Sequence, residues 1–175
     1  MRSNQSGFSM IEVLITIAIL VVGLLGLAGL QANVAKAEFE AYQRAQALVL
    51  VQEIADRITA NKVNAASYVV NDIGASGTAQ DCTNLTDYKR DLCDINNMVV
   101  GASEKQGGAT NVGGMLGGRA CITSPSLNVY VVTVAWQGLR QTKAPNEACG
   151  QGAYGDDKLR RTVSYPVRRA TLSAP

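Results

Sequence analysis

The sequence predicts an α+β chain, with a long amino-terminal helix whose outer half packs on a small antiparallel sheet. Three observations predict it. Residues 8–30, FSMIEVLITIAILVVGLLGLAGL, form an apolar run with one formal charge, Glu12. Residues 31–61 contain neither Gly nor Pro and are rich in Ala, Glu, Gln, Lys, Arg and Leu, all good helix formers. The last third turns to β-branched and aromatic residues, above all NVYVVTVAW at 128–136.

Of the 175 residues, roughly 145 follow the apolar run, enough for one domain with its own core. A net charge of +2 names no polyanionic partner. There is no His, which removes the commonest general base, the usual metal ligand and the neutral-pH switch together. Ser-His-Asp, Cys-His and HExxH sites are excluded by composition. The chain is therefore expected to be no enzyme and to use no cofactor and no small-molecule substrate.

The apolar run exceeds the about 20 residues that cross a bilayer. It is too long for a secretory signal, and no small-x-small site closes it. Arg2 precedes it, so the positive-inside tendency leaves the amino terminus cytoplasmic, with Lys36 on the far side opposing. Glu12 is the informative residue, because a carboxylate at membrane depth is unfavourable and suggests a partner. Two readings stand: a charge tolerated at the headgroup edge, or a pair with a cation of another chain. An amine freed by cutting just before Phe8 is such a cation.

Ser6-Gly7-Phe8-Ser9-Met10-Ile11-Glu12 resembles the cleavage and methylation signature of the type IV prepilins: a short basic leader ending in Gly, then Phe, with Glu fifth after the cut. The resemblance implies cleavage between Gly7 and Phe8 by a prepilin peptidase and methylation of the new Phe8 amine. It also implies that Glu12 neutralises the amine of a neighbouring subunit during assembly. The fold implied is the pilin-like α+β class. Residues 1–7 would be the leader, 8–30 the transmembrane and filament-core half of the helix, 31–61 its outer half, and 62–175 a periplasmic head. GLLGLAGLQ at 23–31 and IADRITAN at 54–61 are more narrowly similar to the PilV group of minor pilins.

Along the outer half, Ala47, Leu50, Val51, Ile54 and Ile58 share one face, and Glu40–Arg44 and Glu53–Arg57 are opposite charges four apart. The whole helix, residues 8–60, would be about 80 Å long. Gly23, Gly26 and Gly29 read as a small-residue face for close helix packing, or as a weak point where the helix bends.

In the head, residues 62–73 are expected to hold a short helix carrying Tyr68, Val69 and Val70, and 84–98 a second helix. Residues 101–118 are Gly-rich and read as a surface loop; no Lys-Ser/Thr follows, so they make no phosphate site. Strands are expected at 119–123, 128–136 and 159–167, with SPSL as the hairpin turn and Pro166 marking a sheet edge. Trp136 reads as core rather than as a ligand platform. Lys158, Arg160, Arg161, Arg168 and Arg169 read as a solvated or subunit-facing strand, with DNA or anionic headgroups as the competing partners. Asp87, Asp91, Asp94, Asp156 and Asp157 lack the spacing of a calcium loop.

Cys82, Cys93, Cys121 and Cys149 all lie in the part expected to be exported, where an even count suits two disulfides. Three pairings are possible. Cys82–Cys93 with Cys121–Cys149 is preferred because each loop stays local. Zinc is the competitor, without a CxxC or a His to support it.

The expected function is that of a PilV-like minor pilin, a structural subunit in type IV pilus assembly or initiation at or near the tip. Its expected partners are the prepilin peptidase/methyltransferase, the inner membrane, the major pilin, other minor pilins and a tip adhesin. The alternatives are a minor pseudopilin of a type II secretion system, a DNA-uptake or adhesion pilin, and a membrane-anchored enzyme.

Overall fold

The computed structural model describes residues 7–108 and 110–169. Residues 1–6 of the expected leader, Arg2 among them, lie outside the described residues. The chain divides into two compact units after Phe39.

In the first unit, helix α1 (Met10–Ala60) begins. Every side chain from residue 7 to Phe39 is exposed. In the most apolar 18-residue window of α1 no residue is buried. By length and composition this helix can cross a membrane. It runs unbroken through Gly23, Gly26 and Gly29, and a Cβ added at any of the three would meet no neighbour within 4 Å.

In the second unit, α1 turns amphipathic. It buries Gln43, Ala47, Leu50, Val51, Ile54, Ala55 and Ile58, the stripe that spacings of three and four place on one face. A 3₁₀ turn (Lys62–Tyr68), strand β1 (Val70–Ile73), helix α2 (Asp87–Val99), a small ribbon of β2 (Lys105–Gln106) and β3 (Thr110–Asn111), and strands β4 (Arg119–Ser126), β5 (Val129–Gln137) and β6 (Arg160–Arg168) follow. The main sheet runs β1-β4-β5-β6, antiparallel throughout. Side chains alternate between its faces. Ala120, Ile122, Tyr130, Val132, Val134, Trp136 and Val167 therefore share one core with the α1 stripe, α2 and Tyr68. Each buried Val or Ile in it contributes about 1.5–3 kcal/mol.

Local details depart from the sequence reading for identifiable reasons. The short helix expected to carry Tyr68, Val69 and Val70 stops at Tyr68, and the β-branched pair leads into β1, whose Val70 pairs with Ile122. The SPSL turn is not the hairpin. Strand β4 continues through Pro125, and the turn is Leu127-Asn128, with Asn128 at φ 61. Proline is tolerated there because β1 ends its pairing at Ile122 and leaves that stretch of β4 as an edge. The Gly-rich segment is no open surface loop: it holds the β2–β3 ribbon and sends Met115 into the core. Gly101 must be glycine, since its Cβ would lie inside the Gly113–Gly114 backbone. Glu40 does not pair with Arg44. Its Oε1 accepts the Leu139 and Arg140 backbone N–H groups at 3.0 and 3.1 Å and lies 3.7 Å from Arg161 Nη2.

Glu53 does pair with Arg57 at 3.0 Å, and Arg57 reaches on to Asp91 and Asp94 of α2 at 3.1 and 3.5 Å. Strand β6, with Pro166, is a sheet edge. Disulfides join Cys82 to Cys93 and Cys121 to Cys149, with Cα separations of 5.8 and 5.7 Å.

Candidate functional site

The amino-terminal junction is built by the start of α1. Gly7, Phe8 and Ser9 are not helical. The Ser9 carbonyl accepts the Glu12 and Val13 N–H groups at 3.1 and 3.4 Å, and Ser9 Oγ accepts the Ile11 N–H at 3.4 Å. Ser9 thus caps the helix, and Glu12 stands three residues on, the capping-box spacing. An acid in the first turn also complements the positive end of the helix dipole. The Ser-x-x-Glu spacing is the sequence signal for this helix start, and Ser9 is the residue whose side chain makes the cap bond. Phe8 is 84% exposed and nothing crowds Gly7. Open, non-helical backbone of this kind suits entry into a peptidase cleft.

In the head, the residues singled out for chemistry are engaged in structure. Trp136 is buried in the core; its Nε1 and Gln43 Oε1 have no hydrogen-bond partner among the described residues. Asp91 and Asp94 hold Arg57, and Asp156 accepts the Lys158 N–H at 2.9 Å. Among the described residues no cluster of His, Cys, Asp and Glu forms a metal-ligand set.

The basic run is divided by its partners. Arg160 is 1% exposed. Its guanidinium donates to Asp157 Oδ1 and Oδ2 at 2.6 and 2.7 Å, to the Pro145 and Cys149 carbonyls at 3.1 Å each, and to the Glu147 carbonyl. It is a clasp for the loop between β5 and β6, invisible in a sequence that reads as five similar cations. Its hydrogen bonds hold the Asp157 carboxyl below the usual carboxylate range. Arg161 donates to the Lys158 carbonyl at 3.1 Å and to the Arg140 carbonyl. Lys158, Arg168 and Arg169 remain exposed. Burial, then the hydrogen bond to Asp91, pushes the Tyr68 hydroxyl up to about 12, and burial does the same for Tyr154.

Residues 2–28 match the family model of the prokaryotic N-terminal methylation motif. The chain carries the type IV prepilin signature. No curated protein and no solved structure matches it. The matched segment takes in the Gly7-Phe8 junction, Glu12 and most of the apolar run, and ends before the head begins. The α+β arrangement of an apolar amino-terminal helix and a small antiparallel sheet is the type IV pilin-like fold. A prepilin signature marks a structural protein, processed by a prepilin peptidase and assembled with other pilins.

Proposed function

We propose that this pilin-like chain is a minor pilin of the PilV type, anchored in the bacterial inner membrane through residues 8–30 with its head in the periplasm before it joins a type IV pilus at or near the tip. A prepilin peptidase cuts between Gly7 and Phe8, and the Phe8 amine is methylated. Glu12 then pairs with the amine of a neighbouring subunit, since a cation and a carboxylate that both leave water are less unfavourable together than apart. The carrying observation is the methylation-motif match over residues 2–28, which takes in the first part of a helix whose most apolar window has no buried residue.

N-terminal mass spectrometry of the mature protein tests the cut and the methyl group together. A chain beginning at N-methylated Phe8 is expected, and one retaining Met1 overturns the reading. Replacing Gly7 with a bulky residue should leave the precursor uncut. Glu12→Gln tests the charge alone, because glutamine keeps the size and hydrogen-bonding reach of the side chain and loses the negative charge. The variant should insert, be cleaved and be depleted from sheared pili; wild-type incorporation overturns the pairing role of Glu12. Absence of the unaltered protein from sheared pili, with a defect in protein secretion instead, would replace the pilus role with a pseudopilin role.

A further inference from the structure

We infer that the far end of the head, where α1 and β6 both finish, is a docking site for an acidic protein segment that offers one apolar side chain. A cavity of about 150 Å³ opens there, with Ile58, Ala65, Tyr130 and Val167 at its wall and Lys62, Arg168 and Arg169 beside them. A space of this size holds a benzene-sized group, so it suits a single aliphatic or aromatic side chain. Among the described residues no carboxylate lines it. Among the described residues of the head, the two most exposed large apolar side chains are Val63, which follows Lys62, and Leu127, which shares its turn with Asn128, the acceptor of the Arg169 backbone N–H.

One of the cations is held in place. Arg169 donates its backbone N–H to the Asn128 carbonyl at 2.8 Å and its Nη1 to the Lys62 carbonyl at 3.0 Å, tying the β4–β5 turn to the end of the helix. Two guanidinium groups and an ammonium around an apolar depression complement a hydrophobic side chain flanked by carboxylates, which guanidinium binds with directed hydrogen bonds. A second copy of this face would bring like charges together. Membrane-binding clusters usually gather 4–8 cations, more than the three here. Single-stranded nucleic acid needs exposed aromatic platforms, and Tyr130 is buried. The inference does not depend on how the amino terminus is processed.

The test is a titration of the full chain in detergent micelles, followed by NMR on the methyl groups of Ile58 and Val167. The probe is the capped peptide Asp-Glu-Leu-Glu-Asp. Saturable shifts at both methyls are expected. Changing the peptide's Leu to Ser, or changing Lys62→Glu or Arg168→Glu in the protein, should weaken binding about tenfold or more. Lys62 and Arg168 are exposed, and unchanged spectra elsewhere show that each variant is folded. No shift with the peptide overturns the inference, as does equal binding of a Lys-Lys-Leu-Lys-Lys peptide. Stronger binding to duplex DNA, or to vesicles with phosphatidylglycerol, would assign the face to those partners instead. Binding that appears only after residues 170–175 are removed would give the cavity to the chain's own end.

Discussion

Arg160 carries the largest polar commitment of any single side chain in the head, with five donated hydrogen bonds and almost no exposed surface. Arg160→Met should lower the stability of the folded head by about 1–3 kcal/mol, because it removes the donors that satisfy three loop carbonyls. Urea unfolding of the full chain in detergent measures this. The same variant should change the acid limb. Asp157 has a depressed value in the folded state, so its contribution is complete above the ordinary carboxylate value of about 4 and is lost as pH falls through the lower folded value. Arg160→Met should flatten that part of the loss and leave the part due to Asp81, held low by its bonds to Thr83. Tyr68 and Tyr154 act at the other extreme. Their folded values stand near 12, above the ordinary value of about 10, so the folded state holds the extra protons and stability falls as pH rises from about 10 to 12. Tyr68→Phe and Tyr154→Phe should each make that alkaline limb shallower.

At the scale of elements, the outer part of α1 has a sharp division between faces. Ile54→Ala empties a fully buried site against the sheet and should cost about 3 kcal/mol, whereas Val49→Ala, 67% exposed, should change stability by less than about 0.5 kcal/mol. This face was legible in the sequence because a helix against a sheet imposes a period that apolar residues must follow, and the same holds for the alternation of β5. The interactions made by loops were not legible. Glu40 has Arg44 at the right helical spacing, yet two backbone N–H groups of the chain after β5 are available to it and bind it more closely. Arg160 belongs to the same class, since its acceptors are mainly carbonyls, which every residue possesses and no pattern advertises. The missed Ser9 cap is different, because Ser-x-x-Glu was on view and only the functional reading of Glu12 obscured it.

The molecule as a whole joins two units with opposite demands on their surroundings. Up to Phe39 the chain exposes its apolar side chains, and among the described residues burial begins only at Gln43. The head draws its core from the outer part of α1, α2 and the main sheet, and its two disulfides close loops with separations of 11 and 28 residues. None of these contributions lies before Glu40, which itself is needed to hold Leu139 and Arg140. A chain beginning at Glu40 should therefore fold as a soluble monomer and unfold at the same urea midpoint as the full chain in detergent, while the full chain sediments with membranes. A lower midpoint for the shortened chain would mean that the apolar helix supports the head as well as anchoring it. An unchanged midpoint would mean that the first unit is free to meet lipid, and later other subunits, without cost to the fold. That independence is physically required if one apolar helix is to pass from a bilayer into a filament while the head stays intact.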